Sequence, residues 1–340
     1  MIIIIPLVLF VVSAVTTRQL VSNSHRISSL DIPNERSSHL TPTPRGGGLS
    51  FVAVSLFGFL LLLLNNTLNH ADLLALCCAG VIVAIAGYLD DMQKISAATF
   101  RLVLHSIGAI ILVVGIGFPS QISLFDRTIS TGVVGSILGV IYLVWLLNLF
   151  NFMDGTDGIA ATETIFVCLA GAMLNYHALS GINHSSAAVI LAVSTFGFLL
   201  YNWSPAKIFM GDVGSGYLGI VIGGLSLMAA KQQHELLWVW IILLAVFVSD
   251  ATITLIRRLL RKQKPHVAHR SHAYQHLAIR FNSHAKVLLI VLAINVVWLL
   301  PIAFLVADKQ LAGTTGVVIA YVPLLLAALF LGAGKDSVTN

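Results

Sequence analysis

Residues 133–158 read VVGSILGVIYLVWLLNLFNFMDGTDG. Residues 133–150 carry no charge, and a run of this length can cross a bilayer as one helix. Four polar side chains lie at intervals of three residues where this run ends: Asn148, Asn151, Asp154 and Asp157. The stretch therefore predicts a membrane-spanning helix that ends in a polar, acidic segment.

The composition of the chain is that of a membrane protein. Of its 340 residues, 57% are hydrophobic and only 10% are charged, whereas soluble domains carry about 25% charged residues. The apolar runs do not alternate in polarity as barrel strands do. We predict an all-α, polytopic protein with about eleven transmembrane helices, in which residues 1–340 form one helical domain. The eleven runs are residues 2–17, 47–64, 71–89, 102–117, 133–150, 159–179, 186–203, 213–230, 236–256, 285–306 and 313–333.

Basic residues set the predicted orientation. With the N-terminus outside, sixteen of the 19 Lys and Arg residues fall in cytoplasmic loops, and Arg127, Lys231 and Lys309 fall outside. This asymmetry follows the positive-inside rule and puts the C-terminus in the cytoplasm. The net charge of +5 is thus a topology signal, and we expect no nucleic acid binding. The first run has no basic residue before it, which favours a retained span over a cleaved signal peptide.

The polar motifs all fall on the predicted cytoplasmic side. This convergence predicts one cytoplasmic site that receives a cytosolic substrate. The motifs are Thr43–Gly47, Asp90–Asp91, Asn148–Asp157, Phe209–Ser215 and the basic stretch 257–286.

Asp90 and Asp91 end the third apolar run. Two adjacent carboxylates at a helix C-terminus repel each other and face the negative end of the helix dipole. A cation or a proton would stabilise them, which predicts metal neighbours or a general base. The alternative is a pair of solvated charges at a helix end.

The polar segment after the fifth run has the pattern of a metal–phosphate site. Its spacing puts Asn148, Asn151 and Asp154 on one helix face, and Gly155 and Gly158 allow the helix to break. Amide and carboxylate oxygens suit Mg²⁺, which binds few protein groups besides water and phosphate. The alternative is a polar turn between two helices.

Asp212 lies among small residues in Phe209–Gly216, where the eighth run begins. Its glycine neighbours leave room for a phosphate–metal group, and the N-terminus of the following helix favours anions. The alternative is a helix-capping Asp with glycines for helix packing.

The segment 266–276 contains a core of His269, Arg270 and His272. Arg binds phosphates and His can donate to a pyrophosphate, so this core predicts a substrate contact.

Arg257 and Arg258 precede that segment and are expected to serve topology or anionic lipid. Asp250 lies inside an apolar run, where an acid usually has a partner or a role. Its spacing of seven and eight residues to the two Arg residues favours a structural ion pair with them.

In series, Pro42–Gly47, Asp90–Asp91, Asn148–Gly158 and Phe209–Ser215 resemble the motifs of the polyprenyl-phosphate N-acetylaminosugar-1-phosphate transferases. The resemblance runs from about residue 36 to residue 276 and implies a reaction. A lipid phosphate oxygen attacks the β-phosphorus of a UDP-sugar, which releases UMP and leaves a lipid-pyrophosphoryl-sugar. Phosphoryl transfer of this kind needs mainly positioning and charge neutralisation.

The same resemblance implies roles for individual residues. Asp212 and Asn151 correspond to Mg²⁺ ligands, with Mn²⁺ as the alternative ion. Asp90 and Asp91 correspond to catalytic residues near the metal, one of which can serve as the base for the lipid phosphate. The remaining positions correspond to substrate-binding residues: Asp157 and Phe209 at the uracil, Lys94 and Arg101 at the phosphates, and Arg45, Asn148, Asp154, His269, Arg270 and His272 elsewhere in the site.

The family setting implies undecaprenyl phosphate as the acceptor and the bacterial inner membrane as the location, and it leaves a homodimer open. Residues 269–275 resemble the O-antigen initiating branch, which uses 6-deoxy-N-acetylhexosamines, more than the three-histidine version of related enzymes. The sugar donor therefore stays open between UDP-GlcNAc and a UDP-6-deoxy-N-acetylhexosamine such as UDP-N-acetylfucosamine.

Two other classes of protein compete with this reading. A secondary transporter would hold ionisable groups near the bilayer midplane, often within inverted repeats. Here the acids lie at cytoplasmic ends and the sequence shows no such repeat. A non-catalytic membrane scaffold would leave the acidic motifs unexplained.

Overall fold

The chain is predominantly helical in the computed structural model, which describes residues 4–23, 30–31, 42–92, 98–125, 127–181, 185–263 and 269–335. Two short antiparallel strand pairs accompany the helices. They are β1 (Leu30–Asp31) with β2 (Thr43–Pro44), and β3 (Gln121–Leu124) with β4 (Arg127–Ser130). The predicted all-α class is confirmed.

Within the described residues, fourteen α-helices follow one another along the chain. They are α1 (Ile4–Ser22), α2 (Gly48–Leu64), α3 (His70–Asp91), α4 (Ala98–Gly115), α5 (Gly132–Met153), α6 (Ile159–Leu179), α7 (Ser186–Asn202), α8 (Gly211–Gln232), α9 (Glu235–Leu243), α10 (Ala245–Leu260), α11 (Ala273–Phe281), α12 (His284–Ile294), α13 (Leu300–Ala307) and α14 (Gly313–Phe330). A π-helical turn, Asn295–Leu299, joins α12 to α13.

Every predicted apolar run coincides with a helix or a helix pair. Seven helices of the described chain are long and apolar enough to cross a membrane: α1, α3, α5, α6, α8, the continuous α12–α13 and α14. An eighth span results if α9 and α10 are counted together, and α2, α4 and α7 are shorter apolar helices. A multi-pass helical membrane protein is confirmed, while the number of eleven spans and their orientation stay predictions.

The predicted run 236–256 is divided into two helices. α9 and α10 meet at Leu244 with a bend of 71°. Bends of this size usually occur at Pro or Gly, and neither residue is present there. The sequence pattern therefore gave no sign of the break.

Helix α8 lies at the centre of the protein and is buried along nearly its whole length. Small residues allow its neighbours to approach closely, as is common in membrane helices. A Cβ atom on Gly219 would lie 2.6 Å from Leu147 Cα of α5, and one on Gly80 of α3 would lie 2.8 Å from the Tyr217 ring. These contacts fix α3 and α5 against α8.

Helices α3 and α8 run antiparallel, with polar contacts at both ends. At one end, Lys231 Nζ lies 2.7 Å from Asp72 Oδ1. At the other end, the backbone N–H of Asp212 donates to Asp91. The second end is the one predicted to face the cytoplasm, and most of the predicted site residues lie there.

Candidate active site

Three helix ends meet at an acidic cluster. Asp90 lies in the last turn of α3, Arg101 lies in the first turn of α4, and Asp212 lies in the first turn of α8. One guanidinium nitrogen, Arg101 Nη1, hydrogen-bonds Asp90 Oδ2 and lies 3.2 Å from Asp212 Oδ2. Charge-assisted hydrogen bonds of this kind are among the stronger ones in proteins. Arg101 thus holds two carboxylates from different helices close together.

Asp91 binds the N-terminus of α8 through its side chain. Its Oδ1 accepts from the backbone N–H of Asp212 at 3.0 Å, and its Oδ2 accepts from Val213 at 3.1 Å. These N–H groups have no partner inside the helix, and the helix dipole favours an anion beside them. Gly211 has φ of +75°, and a Cβ atom there would lie 2.5 Å from Asp91 Oδ2. This glycine beside Asp212 therefore makes room for Asp91.

Asn151 and Asp154 approach the same cluster from the end of α5. Asn151 Nδ2 donates to Ser215 Oγ at 3.2 Å, one turn into α8. Asp154 follows the last residue of α5. Burial and the nearby charge of Asp212 raise the pKa of Asp154 well above its ordinary value, and Arg45 only partly offsets them. The cluster therefore holds more negative charge than its arginines neutralise.

The donor atoms of this cluster fit Mg²⁺. Asp212 and Asn151 offer a carboxylate and an amide oxygen, which are hard ligands, and Mg²⁺ typically binds one or two carboxylates together with water and phosphate oxygens. In the described residues, no three Asp, Glu, His or Cys side chains are grouped to hold a metal ion. A cation here would need ligands from a phosphate substrate in addition to the protein.

Two loops join beside the cluster through their backbones. The N–H of Gly47 donates to Phe209 O at 2.9 Å, and the N–H of Phe209 donates to Pro44 O at 2.8 Å. The pairing holds the half-exposed Arg45 next to the half-buried Phe209. Arg45 Nη2 lies 2.9 Å from Asp31 Oδ2, an ion pair that joins the two strands β1 and β2. Arg45 and Phe209 thus border one surface.

Asp157 lies in the turn between α5 and α6. Its Oδ2 accepts from the backbone N–H of Ala206 at 3.2 Å and lies 3.2 Å from His284 Nδ1. Burial alone would raise the pKa of Asp157, but hydrogen bonds from His284 and Ala206 hold it below the ordinary value. The next residue, Gly158, has φ of +71° and donates its N–H to Asn202 Oδ1 at 3.0 Å. The predicted break between the helices is confirmed.

The segment His269–Tyr274 is fixed by an acid on α10. Asp250 Oδ1 lies 3.2 Å from His272 Nδ1, and Asp250 Oδ2 accepts from the N–H of Tyr274 at 2.9 Å. The His269 ring stacks on the His272 ring with centroids 5.0 Å apart. Tyr274 Oη donates to Phe152 O at 3.1 Å, which connects the segment to the end of α5. His272 is only 2% exposed, so it has little surface for a ligand and instead supports the His269 ring that stacks on it.

Comparison with known proteins finds one family across these motifs. A family model described as glycosyl transferase family 4 matches residues 73–230. A probable undecaprenyl-phosphate N-acetylglucosaminyl 1-phosphate transferase of Bacillus subtilis (strain 168) is 31% identical over 280 residues, which cover 80% of this chain and 76% of that relative. The chain belongs to glycosyl transferase family 4.

Two further relatives show the breadth of glycosyl transferase family 4. A decaprenyl-phosphate N-acetylglucosaminephosphotransferase of Mycobacterium leprae (strain TN) is 28% identical over 302 residues, or 79% of this chain and 74% of the relative. A phospho-N-acetylmuramoyl-pentapeptide-transferase of Streptococcus pneumoniae (strain CGSP14) is 30% identical over 231 residues, which cover 63% of this chain and 67% of that relative. None of these names specifies O-antigen synthesis, so that branch stays a prediction.

The segment matched by the family 4 model contains most of the predicted site. Arg45 and residues 269–272 lie outside it along the chain. Lys94 lies outside the described residues. Asn148 donates Nδ2–H to a carbonyl of its own helix at 2.7 Å, and Arg270 is half-buried without an ion pair in the described part of the chain. The predicted residues inside the matched and described segment are Asp90, Asp91, Arg101, Asn148, Asn151, Asp154, Asp157, Phe209 and Asp212.

Sequence reasoning assigned no site role to three residues that contact the predicted motifs: Asp250, Tyr274 and His284. Their partners lie 22, 122 and 127 positions away along the chain, so no local spacing reveals them. Asp250 was expected to pair with Arg257 and Arg258, but its carboxylate caps the start of α11. The available signal was an acid inside an apolar run, which usually has a role.

Proposed function

We propose that this protein transfers an N-acetylhexosamine 1-phosphate from a UDP-sugar to undecaprenyl phosphate in the bacterial inner membrane. The product would start a lipid-linked cell-surface polysaccharide such as O-antigen. The named relatives support phosphosugar transfer to a polyprenyl phosphate. The observation that carries the proposal is the cluster of Asp90, Arg101 and Asp212, in which carboxylates from α3 and α8 both contact the Arg101 guanidinium.

In this proposal the phosphoryl group that carries the sugar is transferred from UMP to undecaprenyl phosphate. An oxygen of undecaprenyl phosphate bonds to the phosphorus that carries the sugar. The bond from that phosphorus to the bridging oxygen breaks, and UMP leaves with this oxygen. The phosphates bring additional negative charge to a site that is already acidic. Charge neutralisation and alignment are therefore the main requirements for catalysis.

Asp212 and Asn151 would hold Mg²⁺, or Mn²⁺ as the alternative ion. When bound, the ion supplies charge neutralisation for the pyrophosphate. Asp90 is the candidate base for the acceptor phosphate because its contact with Arg101 leaves its side chain partly exposed. Asp91 instead orients Asp212 through the backbone of α8.

The other residues bind the substrates on either side of this centre. Arg101, Lys94 and Arg45 carry the positive charge that attracts phosphates. On the donor side, Asp157 accepts from the uracil base and Phe209 stacks on it. His269 and Arg270 contact the sugar or its phosphate, and His272 supports them through Asp250. Asp154 and Asn148 complete the wall formed by the end of α5.

The decisive experiment measures UMP release by the purified protein. Release that requires undecaprenyl phosphate, a UDP-sugar and Mg²⁺ together supports the enzyme. Uptake of a substrate into sealed vesicles without UMP release would favour a transporter and contradict the proposal. A panel containing UDP-GlcNAc and UDP-6-deoxy-N-acetylhexosamines, UDP-N-acetylfucosamine among them, then identifies the sugar. Chemical cross-linking in the same preparation tests for a homodimer.

Two variants connect this activity to the acidic cluster. Asp212→Asn and Asp90→Asn are expected to abolish UMP release while the purified proteins stay folded. Asp308→Asn is the matched control, because Asp308 pairs with His177 in a loop after α13, away from the cluster. Near-normal turnover in either cluster variant would refute the role given to that residue.

A further inference from the structure

We propose that His284 is a positioning residue, which holds the Asp157 carboxylate in the orientation that binds the uracil of the donor. The inference rests on the proposed function, because the role of Asp157 at the base belongs to it. His284 is the first residue of α12 and lies near the end of the basic stretch 257–286, beyond the segment 266–276 that was predicted to contact substrate. Three features of the structure support this role: the contacts on Asp157, the placement of α12 and the chemistry of the imidazole.

Two donors from separate parts of the chain converge on one oxygen of Asp157. The backbone N–H of Ala206 lies 3.2 Å from Oδ2, and His284 Nδ1 lies 3.2 Å from the same atom. The side chains of Asp157 and His284 are only 10% and 14% exposed, so water competes little for these contacts. A carboxylate held from two directions cannot rotate freely about its last bond.

The imidazole of His284 is itself held in place. His284 is the first residue of α12, and the preceding Ser283 caps that helix by accepting the N–H of Lys286 at 3.3 Å. One turn further, Leu288 packs beside the turn that carries Asp157: a Cβ atom on Gly158 would lie 3.2 Å from Leu288 Cδ1. The start of α12 therefore contacts this turn through two consecutive helical turns.

The geometry indicates which atom carries the proton. Nδ1 lies 3.2 Å from the carboxylate oxygen of Asp157 and 3.4 Å from its backbone nitrogen. A single ring nitrogen either donates or accepts. If Nδ1 accepted the backbone N–H of Asp157, its lone pair would face the carboxylate oxygen at 3.2 Å and repel it, whereas a protonated Nδ1 makes a charge-assisted contact with that oxygen. Nδ1 of His284 is therefore the donor, and Asp157 is oriented as an acceptor.

An oriented acceptor at this position would discriminate between uracil and cytosine by hydrogen bonding. Uracil carries a hydrogen on N3 and can donate it to a carboxylate, whereas cytosine has a bare acceptor nitrogen there. Asp157 held by His284 would therefore favour UMP over CMP. Without His284, the carboxylate would rotate among orientations, and part of this preference would be lost.

The test compares nucleotide binding by three full-length variants. His284→Ala removes the donor, and His284→Asn replaces it with an amide whose nitrogen can lie near the position of Nδ1. His276→Ala is the control, because His276 is a half-buried histidine on α11 whose side chain hydrogen-bonds only Lys335 O among the described residues. Calorimetry with UMP and with CMP gives the preference of each purified protein.

His284→Ala is expected to lower the preference for UMP over CMP about tenfold, the size expected for one hydrogen bond to a charged group. The KM for the UDP-sugar should rise by a similar factor while the KM for undecaprenyl phosphate stays unchanged. His284→Asn should recover most of both, and His276→Ala should match the wild type.

An unchanged UMP preference in His284→Ala, or an equal loss of UMP and CMP binding, would overturn the inference. Equal rises in both KM values would do the same, because they would indicate general damage to the site. Failure of the proposed function is separately visible, since the wild-type protein would then release no UMP. A wild type that turns over normally beside an unaffected His284→Ala variant contradicts the inference alone.

Discussion

Asp90 and Asp91 are adjacent at the end of α3, but changing each to Asn is expected to affect stability and turnover differently. Asp91 accepts two backbone N–H groups at the start of α8, at 3.0 and 3.1 Å. In Asp91→Asn, one of these oxygens becomes an NH₂ group, which cannot accept. One N–H of α8 then faces another donor, and the helix N-terminus loses its negative charge.

The cost of Asp91→Asn follows from these two losses. An unsatisfied buried N–H costs about 1–3 kcal/mol, and the charge at the helix N-terminus contributes about 0.3–1 kcal/mol. A total of about 1–4 kcal/mol corresponds, for a chain of 340 residues, to a fall in the midpoint of thermal unfolding of about 2–6 °C. Turnover should also fall, because Asp212 lies at the displaced end of α8.

Asp90→Asn is expected to abolish turnover without this loss of stability. The Asp90 and Arg101 side chains are 20% and 32% exposed. Partly exposed pairs contribute about 0–1 kcal/mol, so the unfolding midpoint should stay within about 2 °C of the wild type. The difference between the two variants therefore separates a structural carboxylate from a catalytic one.

The assay is thermal unfolding of purified protein in one detergent at one scan rate, with UMP release measured on the same samples. Asp308→Asn controls for the loss of a carboxylate elsewhere. Gly211→Ala approaches the same contact from the other side, since its Cβ would lie 2.5 Å from Asp91 Oδ2, and it should reproduce the Asp91→Asn phenotype. If Asp91→Asn unfolds at the wild-type temperature, the assignment of Asp91 as the cap of α8 is wrong.

Two further changes test contacts elsewhere in the protein. Gly155→Ala is expected to lower turnover and to cost about 1–3 kcal/mol of stability, because a Cβ atom there would meet Tyr274 Oη and Gln275 Nε2; normal UMP release and an unchanged unfolding midpoint would contradict that packing. The buried Asn295 Oδ1 lacks a partner among the described residues, and a Gln amide at position 163 can donate to it. Glu163→Gln is therefore expected to have an unfolding midpoint no lower than that of the wild type. Glu163→Ala should have a lower midpoint, because it cannot make this bond. Equal destabilisation by Gln and Ala would show that Asn295 does not accept from this side chain.

The helices were predictable because lipid imposes a strong sequence signal. A span needs about 20 apolar residues, and each predicted run coincides with helical structure. The bend at Leu244 was not predictable, since no Pro or Gly marks it in the sequence. The same holds for the π-helical turn Asn295–Leu299 inside the predicted run 285–306.

The gathering of the acidic motifs in one place was predictable, but the different contacts that Asp90 and Asp91 make were not. Successive residues of a helix point about 100° apart, so the two carboxylates necessarily face different neighbours. Which one meets Arg101 and which one meets α8 depends on the rotation of α3. That rotation is set by contacts along the whole helix, which the local sequence does not encode.

Those contacts also explain why the acidic cluster has a defined geometry. Lys231 follows Asp212 by 19 residues on α8, so the pair of Lys231 with Asp72 lies about 29 Å from the cluster at 1.5 Å per residue. Between the two ends, glycines allow α3 and α8 to touch, and a Cβ atom on Gly87 would meet the backbone carbonyl of Asp212. A larger residue at Gly87 would push Asp212 away from Asp91 without touching any substrate. The geometry of the acidic cluster therefore depends on small-residue packing between α3 and α8.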